Sequence, residues 1–196
     1  MHERRSLLAW TALGLLLVLV QFDAMRSAFE ALGMSPAGAV LLLAGSAAGS
    51  YVDLPVAIIR DWAPRTVIAV NVGGCGVPLG FAAWIAWHAA LPASAGLAAV
   101  GAVAVVSRLA SRVEPGVGVT MPVFVAPLAA LTAGVVLAPS NPAPMAYVAG
   151  TYGVLLGADI GRLREALRQD APMLSIGGAG TRDGIFMAGL VAVLLA

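Results

Sequence analysis

Two aspartates have the residue type and the surroundings that acid–base chemistry needs. Asp159 ends the run "GAD" (157–159), and Asp183 lies within "GGAGTRDGIF" (177–186), just before the last apolar segment. Two carboxyl groups held together in a low dielectric do not both ionise easily, so the pair can share one proton. Such a pair can activate water for attack on an amide, and it can equally bind and release a proton or cation during transport.

The composition indicates a membrane protein. Of the 196 residues, 60% are hydrophobic and 11% are charged, whereas about 25% of the residues of a soluble domain are charged. A net charge of +1 argues against a nucleic-acid partner, and the absence of lysine excludes Schiff-base chemistry and a P-loop. The single cysteine, Cys75, excludes an internal disulfide, and no cluster of ligand residues suggests a metal, so we expect no cofactor.

Seven apolar segments must position these aspartates. Each is close to the ~20 residues that cross a bilayer as a helix. They predict an all-α, polytopic membrane bundle that forms one transmembrane domain over residues 1–196, with a retained anchor helix in 1–26 and a core in 27–196. The segments cover residues 6–22, 36–59, 66–90, 92–110, 119–139, 143–161 and 175–196.

The arginines predict how this bundle is oriented. With seven spans and a cytoplasmic N-terminus, ten of the eleven Arg side chains fall inside and only Arg26 falls outside, as the positive-inside rule requires. The C-terminus is then outside. Asp159 lies about 20 Å from the outer face at 1.5 Å per residue, and Asp183 reaches a similar depth from the cytoplasmic side. The alternative is structural, with Asp159 near Arg162 and Asp183 paired with an arginine at the interface.

Glycine runs lie near the cytoplasmic ends of several segments. Their simple explanation is close helix packing, but Gly-Gly-x-Gly before Pro or Asp is poor continuous helix, and irregular backbone at membrane depth has to line a cavity or be covered by protein. We therefore expect segments three and seven to have broken or re-entrant starts around a cytoplasm-facing pocket. The predicted pocket residues are Asp53, Asn71, Gly73, Gly74, Gly118, Tyr152, Gly177, Gly178 and Gly180.

A weak internal repeat relates residues 36–90 to residues 143–196. It matches Asp53 to Asp159 and leaves Asp183 without an acidic counterpart. Under the predicted topology the two copies run in the same direction, as in transporters built from parallel repeats. Gly/Ala-rich sequence of low complexity is the alternative explanation of this match.

Four motifs resemble a bacterial and archaeal family of small polytopic membrane proteins known only as a domain of unknown function. They are "VIAVNVGG" (67–74), "PGVGVTMP" (115–122), "YVAGTYGVLLGAD" (147–159) and "SIGGAGTRDGIFMAGLVAVLLA" (175–196). The similarity covers most of the chain from about residue 27. It implies a multi-pass protein of the bacterial or archaeal inner membrane.

A more distant likeness is to the intramembrane aspartyl proteases of the presenilin, signal-peptide-peptidase and prepilin-peptidase group. Those proteins place one aspartate near the cytoplasmic end of a helix and a second in a Gly-x-Gly-Asp motif, roles that Asp159 and Asp183 would take. Here Thr181 and Arg182 separate Gly180 from the second aspartate. Arg182 either stays beside Asp183 and holds it ionised, or extends to the cytoplasm, as the protease hypothesis requires.

Two functional hypotheses follow. In the first, Asp159 and Asp183 are the catalytic pair of an intramembrane aspartyl protease that cleaves a membrane peptide. In the second, these acids and Asp53 are the protonation or cation sites of a proton- or cation-coupled transporter or channel for a small solute. Both hypotheses place the chain in a lipid bilayer, and neither fixes an oligomeric state.

Overall fold

The computed structural model describes residues 23–59, 65–169 and 171–196, and within these ranges the chain is mostly helical. The predicted anchor segment, 6–22, lies outside the described residues. The α-helices are α1 (Asp23–Ala31), α2 (Pro36–Gly49), α3 (Val77–His88), α4 (Ala93–Ala110), α5 (Val125–Leu137), α6 (Pro142–Val154), α7 (Gly161–Leu167) and α8 (Gly184–Leu194).

Within the described residues, five strands and three irregular helical turns complete the fold. The strands are β1 (Asp53–Ile59), β2 (Thr66–Asn71), β3 (Arg112–Glu114), β4 (Gly118–Thr120) and β5 (Met173–Ile176). The first π turn (Val72–Gly76) joins β2 to α3, the second π turn (Leu155–Ile160) joins α6 to α7, and a 3₁₀ turn (Gly180–Arg182) precedes α8.

The prediction of an all-α fold is wrong because the chain contains β-strands, although its mostly helical character is confirmed. β1 and β2 form an antiparallel hairpin, and β5 pairs in parallel with β2 through Val67–Met173 to Val70–Ile176. β3 and β4 form a separate hairpin. The runs "DLPVAII" and "TVIAVN" are rich in β-branched residues, which favour strands. Hydropathy alone does not distinguish such runs from helical spans.

The predicted segments therefore differ in how closely they match helices. Segment four, 92–110, corresponds to α4. Segment two is helical only as far as Gly49 and then becomes β1, while segments three and seven begin as β2 and β5. A glycine-rich turn separates each of these two strands from α3 and α8. The predicted interruption of helix is present in both places, and it takes the form of a strand and a turn.

One described helix, α4, is long and apolar enough to cross a bilayer. Only 17% of it is buried inside the protein, which distinguishes it from the core helix of a soluble domain. α1 and α2 would form a second span if they are counted together, although they meet at 102°. α5 and α8 are apolar but shorter, about 20 Å or less at 1.5 Å per residue. The seven spans and their orientation stay predictions.

Helix α6 is the centre of the bundle. Most of its residues are buried, and it packs against α3, α4, α5 and α8. Its glycines bring the helices close: a Cβ on Gly150 would lie 2.9 Å from the Ala188 carbonyl of α8, and one on Gly153 would lie 2.6 Å from the Val103 side chain of α4. Because its axis is fixed on several sides, α6 sets the position of the second π turn that follows it.

Candidate functional site

Asp159 lies in the second π turn, where α6 widens before α7 begins. Single π turns within helices occur frequently at functional sites. Gly157 lets this turn approach α4, since a Cβ there would lie only 2.0 Å from the Ala104 carbonyl oxygen. A Cβ on Gly161 would likewise lie 2.9 Å from Cδ of the Arg108 side chain. Asp159 is thus held by a backbone that packs directly against α4.

Asp183 is the N-cap residue of α8. Its Oδ1 accepts a hydrogen bond from the Ile185 amide at 3.0 Å, and its Oδ2 accepts one from the Ala179 amide at 3.4 Å. Ser, Thr, Asn and Asp favour this position because their side-chain oxygens satisfy free amides in the first turn of a helix. The cap fixes the rotamer of Asp183 and starts α8 at Gly184, which explains why the segment is not helical before that residue.

The chain between β5 and α8, residues 177–183, packs backbone to backbone on the first π turn; we call it the glycine loop. A Cβ on Gly74 would lie 2.1 Å from the Gly177 carbonyl oxygen and 2.8 Å from that of Gly180. Gly177 and Gly180 have φ of +76° and +62°, a region that side chains other than glycine rarely adopt. The Gly177 amide also lies within electrostatic reach of the Asp159 carboxylate. The glycine loop therefore carries Asp183 and also contacts Asp159.

The two carboxylates, which we call the carboxylate pair, are close enough for their charges to interact. The buried Cys75 side chain also lies within electrostatic reach of both. Asp159 and Asp183 are half-buried, and each lines two adjacent cavities. The structure thus brings together the two acids that the sequence singled out, and it leaves one face of each open.

Two cavities, both with a mostly apolar lining, meet at the pair. Cavity one, of about 500 Å³, lies between the β3–β4 hairpin, α7 and β5, and polar side chains including Glu114, Gln169 and Ser175 line part of it. Cavity two, of about 250 Å³, is bordered by β4, α5, the end of α6 and α8, and Thr120 and Arg182 add polar groups to its lining. Val119 and Ala179 line both cavities together with the pair. The pair lies where the two cavities join.

Arg182 does not neutralise its neighbour. Its side chain is exposed at the edge of cavity two, and no ion pair joins it to Asp183 in the part of the chain that the structure describes. Of the two arrangements that the sequence allowed for Arg182, the structure has the one in which the guanidinium stays outside the pair.

The predicted pocket residues divide into two groups. Gly118 and Gly178 line cavity one. The others lie outside both cavities: Gly73, Gly74, Gly177 and Gly180 make close backbone contacts, and the Tyr152 hydroxyl donates to the Leu79 carbonyl at 3.2 Å.

Asn71 and Asp53 belong to a polar network behind the glycine loop. The fully buried Asn71 amide donates to the Ser50 carbonyl at 3.0 Å and to Asp53 Oδ1 at 3.1 Å, and its oxygen accepts from the Gly74 amide at 2.8 Å. Asp53 also accepts a hydrogen bond from Ser175 of β5. These contacts join β1, β2 and β5 to the first π turn, so Asn71 and Asp53 support the site from outside it.

Sequence reasoning missed an arginine cluster beside the second π turn. The half-buried Arg162 donates to both oxygens of Glu165 at 3.0 and 2.8 Å, and to the Arg108 and Ser111 carbonyls at 2.8 and 2.6 Å. Arg108 reaches Glu165 at 2.7 Å. The bonds to the carbonyls satisfy free acceptors at the C-terminus of α4. They also connect α4 to α7, in which Arg162 lies three residues after Asp159. The available signal was the spacing of Arg162 and Glu165, three residues apart, whereas sequence reasoning used only the arginines, and only for orientation.

Two further polar residues of the cavities also escaped sequence reasoning. Ser175 lines cavity one, and Thr120 lines cavity two, where its hydroxyl is buried without a hydrogen-bond partner among the described residues. Within the same ranges, no three His, Cys, Asp or Glu side chains come close enough to hold a metal ion. The ionisable side chains that line both cavities are those of the carboxylate pair.

Comparison with known proteins yields a family without an assigned activity. Neither a curated protein nor a solved structure matches the chain. One family does match, over residues 40–195, and it is described as "Protein of unknown function (DUF1614)". That match covers more than half of the sequence and includes α4 to α8, the glycine loop and both aspartates. The chain belongs to this family of proteins of unknown function, DUF1614.

Proposed function

We propose that this protein is an intramembrane aspartyl protease whose catalytic residues are Asp159 and Asp183. The observation that carries the proposal is the position of the carboxylate pair, within mutual electrostatic reach at the junction of two cavities. A peptide bond in a membrane can be hydrolysed only where water and an apolar substrate meet. Cavity one, which Glu114, Gln169 and Ser175 line in part, would admit water, and the walls of cavity two that α5 and α8 supply would contact the substrate.

The mechanism needs one proton shared between the two acids. The ionised carboxylate removes a proton from a water molecule as its oxygen attacks the peptide carbonyl carbon, and the protonated carboxyl donates its proton to the carbonyl oxygen. A tetrahedral diol forms. When the carbon–nitrogen bond breaks, the nitrogen takes a proton from the first carboxyl, and a hydroxyl proton of the diol returns to the second. The new acid and amine leave, and the pair is restored.

Strand β5 offers a place for the substrate backbone. It lies at the edge of the β1-β2-β5 sheet, and all four of its residues line cavity one next to the pair. The outer edge of a sheet pairs readily with an added extended peptide. Helical peptides resist proteolysis because their amides are engaged, so a substrate segment that unwinds and pairs with β5 would present its carbonyls to the pair.

The outer surface supports a location in the bilayer. Large apolar side chains are exposed on α2, α4 and α5, including Leu41, Leu97, Val105, Leu109 and Val136. Soluble monomers rarely expose apolar surface so widely. Cavity one is bordered by α7 and by the β3–β4 hairpin, both of which carry charged residues, and in this proposal it gives water a route to the pair without crossing the apolar face.

The transport hypothesis uses the same acids and makes a different prediction for Asp53. Asp53 is exposed and lies outside both cavities. In a proton- or cation-coupled transporter in which Asp53 is an ion site, Asp53→Asn abolishes uptake. In the protease, Asp53 only accepts supporting hydrogen bonds from Asn71 and Ser175, and the same substitution leaves measurable cleavage.

The test uses purified protein and its Asp159→Asn, Asp183→Asn and Asp53→Asn variants, with Asp23→Asn of the exposed α1 surface as the control. Each is assayed for cleavage of helical membrane peptides by mass spectrometry and for proton-coupled uptake in liposomes. We expect cleavage by the wild type and the control, and none above background by either pair variant. Cleavage that survives in both pair variants, or uptake without any cleavage, would overturn the proposal.

A further inference from the structure

Cavity two has walls that are fixed by core packing. Val154, Ala126, Ala158 and Ala188 are each at most 3% exposed, and they belong to one buried apolar cluster that also includes Ile185. They come from α5, α6, the second π turn and α8. Because interiors are packed at close to crystalline density, the outline of this cavity is a stable property of the fold.

Alanine keeps this cavity open. Three of its buried wall residues, Ala126, Ala158 and Ala188, are alanines on three different elements. A larger side chain at any of them would occupy part of the space. The volume of about 250 Å³ exceeds that of an engineered apolar cavity of about 150 Å³ that binds benzene. One aromatic or large aliphatic side chain therefore fits in cavity two.

Charge restricts the choice further. Arg182 and the carboxylate pair line the cavity, and the remaining lining is apolar apart from Thr120. Because Arg182 and a pair that shares one proton carry opposite charges, the lining has little net charge to offset that of a charged side chain. A polar side chain would lose its hydrogen bonds to water without finding equivalent partners. The lining thus selects an uncharged apolar group.

We propose that cavity two is the specificity pocket of the enzyme, and that it receives the side chain of one large apolar residue, such as Leu, Met or Phe, directly beside the bond that is cleaved. This inference rests on the proposed function, because the pair defines which bond is cut. The residue on one side of the bond is selected by cavity two, while the residues on the other side lie along β5 in cavity one and are held mainly through their backbone.

The test compares substrates that differ at one position. A lysine-flanked alanine–leucine membrane peptide with a central Gly-Gly pair is incubated with the purified protein, and the cleaved bond is located by mass spectrometry. The residue on each side of that bond is then replaced in turn by Leu, Phe, Ala, Ser or Lys. On one side only, we expect Leu and Phe to exceed Ala, Ser and Lys in kcat/KM by about tenfold or more, the range that apolar pockets achieve.

Variants of the wall residues move this preference in two directions. Ala188→Val and Ala126→Val narrow the cavity, so the advantage of Phe over Ala falls by about tenfold. Val154→Ala widens it, so a tryptophan-containing peptide becomes a substrate. The matched controls are Ala192→Val on α8 and Ala130→Val on α5, which are equally buried and do not line the cavity. Size-exclusion chromatography and thermal unfolding verify that each variant is folded.

The outcomes separate this inference from the proposed function. No cleavage of any peptide by the wild type would overturn the proposed function, and the pocket with it. Cleavage that depends on Asp159 but is equally fast for all five side chains would overturn the pocket alone. The same follows if Ala192→Val and Ala130→Val change the preference as much as the wall variants do. If the narrowed variants do not fold, the deciding measurement is whether Val154→Ala cleaves the tryptophan-containing peptide. Cleavage of that peptide supports the pocket, and its absence overturns the pocket.

Discussion

Replacing Gly74 with alanine tests whether the glycine loop is held in place by close backbone contact. The added Cβ would lie 2.1 Å from the Gly177 carbonyl oxygen, and an ordinary contact is at least 3.4 Å. The glycine loop or the first π turn must therefore move by about 1.3 Å. The obstacle is backbone, so no side-chain rotation relieves the overlap.

The size of the effect follows from this displacement. Overpacking in a well-packed interior typically lowers the free energy of unfolding by about 1–3 kcal/mol. The glycine loop carries Asp183 and places the Gly177 amide near Asp159, so a shift of about 1 Å changes the geometry of the pair directly. Misplacement of about 1 Å can lower a rate about 100-fold. We expect Gly74→Ala to lower kcat/KM for peptide cleavage by at least that factor.

Gly76→Ala is the matched control. Gly76 lies in the same π turn, is exposed, and a Cβ there would find its nearest neighbour, the Asn71 carbonyl oxygen, at 4.0 Å. Alanine is preferred over glycine in helical conformations by up to about 1 kcal/mol, so this variant should be as stable as the wild type or more so. Both variants are compared by thermal unfolding in detergent and by peptide cleavage. The reasoning is refuted if Gly74→Ala matches Gly76→Ala within about twofold in kcat/KM and unfolds at the same temperature.

Two further predictions concern the arginine cluster. Arg162→Ala removes the guanidinium that donates to the Arg108 and Ser111 carbonyls, and it should lower the free energy of unfolding by about 1–3 kcal/mol. The control is Arg164→Ala on the exposed face of α7, which should change the free energy of unfolding by less than about 0.5 kcal/mol. Equal unfolding curves for the two variants would contradict the assigned contacts. The hydrogen bond from Arg162 holds the pKa of Glu165 below its ordinary value, so the stabilisation is present above the ordinary glutamate pKa and is lost as the pH falls through the lower, folded-state pKa. The difference in unfolding temperature between the wild type and Glu165→Gln should therefore shrink in acid, and a difference that stays constant down to the pH of acid unfolding would be evidence against the ion pair.

Several features could be predicted from the sequence because they depend on residues taken one at a time or on their close neighbours. The apolar composition and the proline and glycine residues between segments predict a mostly helical chain and locate α4 within one residue at its start. The glycine-rich stretch before Asp183 predicts that helix is interrupted there. The rarity of acids in apolar sequence is enough to single out Asp159 and Asp183.

The strand pairing and the arrangement of the site were decided by residues that lie far apart along the chain. β2 and β5 pair across a separation of about a hundred residues, as in the Thr66 hydroxyl bond to the Ala171 carbonyl with a separation of 105. Hydropathy does not reveal such a pairing, because a β-branched strand and an apolar helix have the same mean hydropathy. Adjacency in sequence likewise does not reveal whether Arg182 pairs with Asp183, and among the described residues the structure has no ion pair between them.

The glycines illustrate the same division. Sequence reasoning assigned Gly73, Gly74, Gly177 and Gly180 to a pocket lining, whereas they permit the first π turn and the glycine loop to touch backbone to backbone. A glycine marks a place where a side chain is not tolerated, but only the tertiary structure shows whether the space is needed by a ligand or by another part of the chain. Here the chain itself fills that space, and the open space at the carboxylate pair is bounded instead by alanines of α5, the second π turn and α8.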